Sequence, residues 1–482
     1  KTPGRNHALF PPATERGTSL HGGTSMAKVL ICGLTRAHET LLQAFFQFLG
    51  QEVIRLPEPD NEAFKIGKMY SNKGQCNPVY YTVGTLIRFL QGLRDGGERD
   101  INAKYFYLTA GACGPCRFGM YEMEYRKALR NAGFEGFRVV AVQQSAELVH
   151  ELREVGFTFK RRYLPRFLNT MILGDIINNL YYKAKPYEVD AGCADRWRDQ
   201  TLDLVCPAFR EHRSLVRAMK QVRSKYRALR LDYLRPKPKV KIIGEFFSHL
   251  QEGDASYRLP AWLIEEGAEP VFEPLTNWLD YLLWGKIQYV RERAFRGRVK
   301  ALFHISLIRV LKTTVRLNYA FFRHLMDGRS DRLARQNLLA RLASPYYNIK
   351  LIGGEGHMEA GKHVYAVRKR QAHMIISIKP FSCMPSTQSD GVQTKIAADM
   401  GGSLFVSIDT TGDAEVNVKS RILMKLHEAK KRAESEFQSL LEKCPLNEGE
   451  QQNTSRLRFH RLGRSRRYIC TAASVLGRRM SS

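Results

Sequence analysis

Short apolar runs alternate along this chain with longer stretches in which apolar residues recur every three or four positions. The first rhythm marks buried strands and the second marks helices with one buried face. Lys28–Cys32 reads as a strand, Ala37–Phe48 as a helix, and Glu52–Leu56 as a strand after Gly50. A polar loop is expected over Glu58–Gln75. A helix then runs from Cys76 through Leu90, with Pro78 in the first turn, where its missing N–H has no intrahelical partner to lose. Tyr105–Leu108 reads as a strand, Phe118–Arg130 as a helix ending at Gly133, and Phe137–Val142 as a strand. Residues 145–234 read as largely helical and rich in Arg and Lys.

The alternation resumes after Arg235-Pro-Lys-Pro-Lys239, a stiff basic stretch that reads as a linker. Strands are expected at Val240–Gly244, Glu269–Phe272, Ile349–Ile352, His373–Ile378 and Leu404–Ile408. Helices are expected around Ala261–Glu266, from Asn277 towards Leu342, and over Val418–Phe437. Strand–helix–strand order predicts the α/β class with mostly parallel sheets. Two such units are predicted, residues 26–234 and 240–442, joined by 235–239 and extended by basic helices. A chain of 482 residues exceeds one ordinary core, which agrees with two units. Residues 1–25 and 443–482 lack a periodic pattern. The first is expected to be disordered or a non-native extension, the second a disordered basic tail.

Composition narrows the function classes. No apolar run approaches the ~18 residues of a membrane span, and the N-terminus has no apolar signal core. A cytoplasmic, reducing setting is therefore expected, and nine cysteines in so long a chain do not make a disulfide framework. The net charge of +29 suits an anionic partner, or a solvated basic surface on long helices. Basic stretches Arg210–Arg235 and Arg291–Arg323 interleave Tyr and Phe, as single-stranded nucleic-acid binders do, but no nucleic-acid module is recognisable.

The chemistry concentrates at cysteines beside element ends. Cys113 and Cys116, in Cys-Gly-Pro-Cys, stand where a strand turns into a helix. Cys383 follows the strand His373–Ile378, and Cys76 opens a helix. In open parallel sheets ligands gather beyond the carboxyl ends of strands, so these four thiols are candidates for one crevice between the units. Thiolates without partner histidines are the ligands of iron–sulfur clusters or zinc. Cys-Gly-Pro-Cys alone equally suits a thiol–disulfide pair. Cys32 and Cys206 read as small buried hydrophobes, as does Cys193. Gly356-His-Met-Glu-Ala-Gly-Lys-His363 matches a phosphate loop up to His363, which replaces the Ser or Thr that would hold Mg²⁺. Its Lys362 is a candidate phosphate contact at a tight turn.

Gly111-Ala-Cys-Gly-Pro-Cys-Arg-Phe-Gly119 and Lys379-Pro-Phe-Ser-Cys-Met-Pro385 carry a resemblance, supported by Gly74-Gln-Cys-Asn-Pro78, Gly244-Glu-Phe-Phe247 and Pro186-Tyr-Glu188. Over residues 26–440 the chain resembles the 2-hydroxyacyl-CoA dehydratase component family, most closely its double-cubane-cluster and activase-associated relatives. The resemblance implies Rossmann-like domains with an oxygen-sensitive iron–sulfur cluster, [4Fe-4S] or double cubane, held between them. It implies Cys76, Cys113, Cys116 and Cys383 as the ligand candidates. It further implies single low-potential electrons from a separate ATP-hydrolysing activator, reductive or radical dehydration chemistry, a CoA ester as ligand, and a homo- or heterodimer.

Overall fold

The computed structural model describes residues 27–111, 116–142, 160–293, 298–412, 414–443 and 468–479. Two four-stranded parallel sheets organise them. The first contains β1 (Lys28–Ile31), β2 (Val53–Arg55), β3 (Tyr105–Ala110) and β4 (Arg138–Val142) in the order β2-β1-β3-β4. The second contains β5 (Lys239–Gly244), β6 (Glu269–Val271), β7 (Met374–Pro380) and β8 (Leu404–Thr410) in the order β6-β5-β7-β8. The two orders are the same, and the expected α/β plan with two Rossmann-like halves is what the chain adopts.

Alternation along the strands explains why each sheet is covered twice. Val29 and Ile31 face helices Arg36–Phe48, Leu164–Ala184, Cys193–Arg210 and Leu215–Arg227. Leu30 faces helices Asn77–Asp95 and Tyr121–Asn131 on the other side. In the second half, Ile242 and Ile376 pack with helix Glu415–Leu441, whereas Ile243 and Ile375 pack with Ala366 of helix His357–Arg368. All seven residues of β7 are buried, as a central parallel strand requires. The halves also interlock: Tyr187 donates a 2.8 Å hydrogen bond to Glu269 on β6.

Four expectations change. The polar stretch Glu58–Gln75 contains helix Asn61–Tyr70, capped by Asp60, whose carboxylate accepts from the Ala63 N–H at 2.8 Å. Phe64 packs on Tyr80 and Tyr81, and small residues make the closest approach: a Cβ on Gly84 of the adjoining helix would lie 1.6 Å from the Ala63 carbonyl oxygen. Ile349–Ile352 forms a turn and not a strand. Ile349 and Ile352 pack beside Trp284 and Leu339, so burial against helices, not sheet pairing, explains their apolar character. Gly356–His363 is not a phosphate loop, because His357 onward is helical and its backbone N–H groups turn into the helix ladder. Finally, within 443–482, residues Thr471–Arg479 form a helix whose Ala472, Ala473 and Leu476 bury against Ala433 and Phe437. The carboxylate of Glu436 accepts from the N–H groups of Ile469 and Cys470, at 3.0 and 2.9 Å, and fastens that segment.

Candidate functional site

Each of the three described candidate thiols is the cap residue of a helix. Cys76 caps Asn77–Asp95, Cys116 caps the 3-10 turn Arg117–Met120 that leads into Tyr121–Asn131, and Cys383 caps Met384–Asp399. Pro78 and Pro385 sit in the first turns of two of these helices. None of the three makes a side-chain capping bond, so each sulfur stays near unpaired N–H groups and the positive end of a helix. Cys76 and Cys383 are 6% and 7% exposed, and Cys116 is half-buried. Cys113, the fourth candidate, lies outside the described residues.

Two buried acids bring the thiols into one neighbourhood. Glu245 follows β5 and caps its own short helix, accepting from the N–H groups of Phe247 and Ser248 at 3.1 and 2.9 Å. Glu355 accepts from the Phe246 N–H at 2.9 Å, and its second oxygen has no partner. The charge of Glu245 acts on Cys76, Cys116 and Cys383, and that of Glu355 acts on Cys116 and Cys383. Cys76 also meets the hydroxyl of Tyr121 at 2.7 Å, which ties it to the helix after Cys116. The first half thus supplies Cys76 and Cys116, and the second supplies Cys383, Glu245 and Glu355.

The electrostatics favour neutral groups wherever no cation is bound. Burial pushes the Cys76 thiol up to about 11, even though the Tyr121 hydroxyl works in the opposite direction. Burial, reinforced by Glu355 and Glu245, pushes Cys116 up to about 12, and Cys383 is driven well above the usual thiol range by burial and Glu245. The acids rise as well. Burial raises Glu245 against its Ser248 and Phe247 N–H bonds, and raises Glu355 well above the carboxylate range with help from the Glu245 and Glu359 charges. A cationic centre reverses this order, since metal charge deprotonates a coordinating thiol. Soft sulfur donors from both halves, one unpartnered carboxylate oxygen and a desolvated setting fit an iron–sulfur cluster. Among the described residues no group of three or more His, Cys, Asp or Glu side chains is arranged to hold a single metal ion. The ligands of a cube bind separate irons and stand farther apart than ligands sharing one ion.

Aromatic rings wall the neighbourhood. Phe118 lies 5.7 Å from Phe246, which stacks on Trp278 at 5.1 Å. His357 is fully buried between Tyr281 and Trp284, neither ring nitrogen has a partner, and burial together with the Lys362 charge holds the ring down at about 4. Lys362 is 5% exposed within its helix; burial lowers its pKa, and Glu273 is the strongest group opposing that.

The remaining sequence assignments separate from this place. Cys32 contacts the Tyr107 hydroxyl at 3.2 Å, and burial pushes it up to about 12. Cys206 is buried with the helices of the first half, and Cys193 is half-buried at a helix start. Sequence reasoning missed Glu245 and Glu355 as partners of the thiols. Glu245 lies within Gly244-Glu-Phe-Phe247 and Glu355 directly precedes the Gly356–His363 stretch, yet nothing local marks a glutamate as buried. No family model, curated protein or solved structure matches the chain. No helix among the described residues is long and apolar enough to cross a membrane.

Proposed function

We propose that this chain is a cytoplasmic iron–sulfur protein akin to the 2-hydroxyacyl-CoA dehydratase components. In this reading Cys76, Cys116 and Cys383 hold the cluster, with Cys113 as a further ligand. The observation that carries it is that three helix-capping thiols, from elements of both sheets, all lie within reach of the charge of Glu245. The bound cluster would supply single low-potential electrons, received from a separate ATP-hydrolysing activator, for reductive or radical dehydration of a CoA ester. The protein's own groups do the rest. Phe118, Phe246 and Trp278 form a continuous aromatic row beside the helix starts. Glu355, raised well above the carboxylate range by burial, presents an oxygen that no protein group occupies. The Tyr121 hydroxyl orients the Cys76 sulfur.

Anaerobic reconstitution followed by iron and sulfide counts per chain tests the reading. The wild type should bind both and show broad charge-transfer absorbance that dithionite bleaches. Cys76→Ser and Cys383→Ser should lose iron, and Cys206→Ala should keep it. A thiol–disulfide protein would instead be iron-free and active with a reversible Cys113–Cys116 disulfide, and that result would overturn the proposal. A Cys116 thiol pushed up to about 12 is opposite to what an attacking thiolate needs.

A further inference from the structure

Helix Arg298–Leu325 is covered on one side only. Ile305, Val315, Tyr319 and Phe322 are buried, on the side that packs against helices Leu164–Ala184, Leu215–Arg227 and Leu275–Glu292. The opposite side holds Phe303, Leu307, Val310, Leu317 and Phe321, which are 70%, 60%, 63%, 65% and 49% exposed. With exposed Thr314 between Val310 and Leu317, these positions alternate by four and three residues. That is the spacing of a coiled-coil seam, a stripe narrower than an ordinary amphipathic face. Val299 and Leu302, 81% and 63% exposed, extend the apolar surface towards the helix start.

Two observations identify what covers the seam. Its flanks between Phe303 and Phe321 are Ser306, Thr313 and Ala320 on one side and His304, Leu311 and Asn318 on the other. None of these is Lys, Arg, Asp or Glu, in a chain whose net charge is +29. Arg309, the nearest fixed charge, lies further round the helix. An acidic protein or an anionic lipid finds no complementary charge along this seam. A second copy meets it without like-charge repulsion. The other observation is area. Seven side chains at these exposures offer roughly 800 Å², about what each partner of a stable interface covers and more than the largest apolar patch of a typical monomer.

We propose that helix Arg298–Leu325 is a dimerisation face, pairing antiparallel with the same helix of a second copy. One register engages the whole seam. Phe303 meets the second copy's Phe321, Leu307 its Leu317, and Val310 its Thr314, and each pair recurs in reverse across the two-fold axis. The antiparallel arrangement also sets the two helix dipoles head to tail. The proposal does not depend on a cluster, so iron-free protein serves for the test.

Sedimentation equilibrium on the full chain reads the mass. The wild type should sediment as two chains through the micromolar range. Leu307→Glu/Val310→Glu should raise the dissociation constant at least about tenfold, because it sets charges of one sign across the seam. Both positions are exposed in the single chain, so the variant should fold as the wild type does. Val416→Glu, at a position 81% exposed on helix Glu415–Leu441, should leave the dimer unchanged. Mild oxidation reads the register independently. Leu307→Cys/Leu317→Cys should link two chains covalently. Leu307→Cys alone should add no link to the wild-type background, because its two copies stand about 15 Å apart along the helix axis. A monomeric wild type, a dimer indifferent to Leu307→Glu/Val310→Glu, or linkage through Leu307→Cys alone would each overturn the proposal.

Discussion

The joint between the two halves can be tested at Asp175. This residue, on helix Leu164–Ala184 of the first half, is 4% exposed. It caps helix Leu275–Glu292 of the second half from outside. Its oxygens accept from the N–H groups of Leu275 and Thr276 at 2.6 and 2.7 Å, and from the Thr276 hydroxyl at 2.5 Å. That helix has Pro274 as its own cap residue, which makes no side-chain bond. Asp175→Ala would leave two buried N–H groups and a hydroxyl unpaired. At about 1–1.5 kcal/mol for each, the loss is about 4 kcal/mol, a large part of an ordinary domain's stability. Asp175→Asn keeps an acceptor oxygen and the side-chain volume, so about half that loss is expected. Urea unfolding followed by tryptophan fluorescence reads both. Trp278 and Trp284 lie on the capped helix, so its release registers directly. An alanine variant within about 1 kcal/mol of the wild type would refute the reasoning.

Gly244→Ala should destabilise by about 3 kcal/mol or more, because a Cβ there lies 2.0 Å from the Ile378 carbonyl oxygen and φ is +117°; a thermal melt unchanged from wild type would refute this. The clasp at Glu436 should open in acid. Burial would raise this carboxyl, but the His373 ring and the N–H groups of Cys470 and Ile469 outweigh it and hold it at about 2, below the usual 4.5. The stabilisation is therefore present above about 4.5 and lost as pH falls towards 2. Pepsin cleavage near residue 468 should rise over that interval, and Glu436→Gln should release the segment already at neutral pH. Tyr121→Phe should leave the fold intact while loosening the Cys76 sulfur, seen as faster thiol alkylation in iron-free protein. An unchanged alkylation rate would count against the 2.7 Å contact.

The sheets were legible because their central strands are buried on both faces and so read as continuous apolar runs. β7 and β8 differ from the expected strands only at their ends. Helix Asn61–Tyr70 escaped notice because Ala63 and Gly67, small residues, make its closest contacts, and small residues leave a weak apolar stripe. Ile349–Ile352 misled because burial under a helix gives the same short apolar run as a strand. The thiols stood out because cysteine next to proline at an element boundary is uncommon and chemically specific. Their acid partners did not, since burial of Glu245 and Glu355 arises from the second sheet meeting the first, a tertiary fact that no local pattern carries. The helix Thr471–Arg479 was hidden for a related reason: its buried residues are mostly alanines, which a hydrophobic count barely registers.

The two sheets share one strand order, so equivalent positions of the two halves can be compared. Cys116 and Cys383 then occupy one position twice, each just beyond the third strand in sequence of its half. The long helix before that strand, separated from it by the short helix Ile101–Lys104, is capped by Cys76 in the first half. In the second half it is capped by Gly356, directly after Glu355. A symmetric pair of separate copies would present the same donor from both sides and could not tell one end of a guest from the other. Within one chain the halves need not match, and here Cys76 caps the helix on one side where Glu355 adjoins the equivalent helix on the other. The neighbourhood of the thiols therefore differs from one half to the other, which would let it seat an asymmetric molecule in a single orientation.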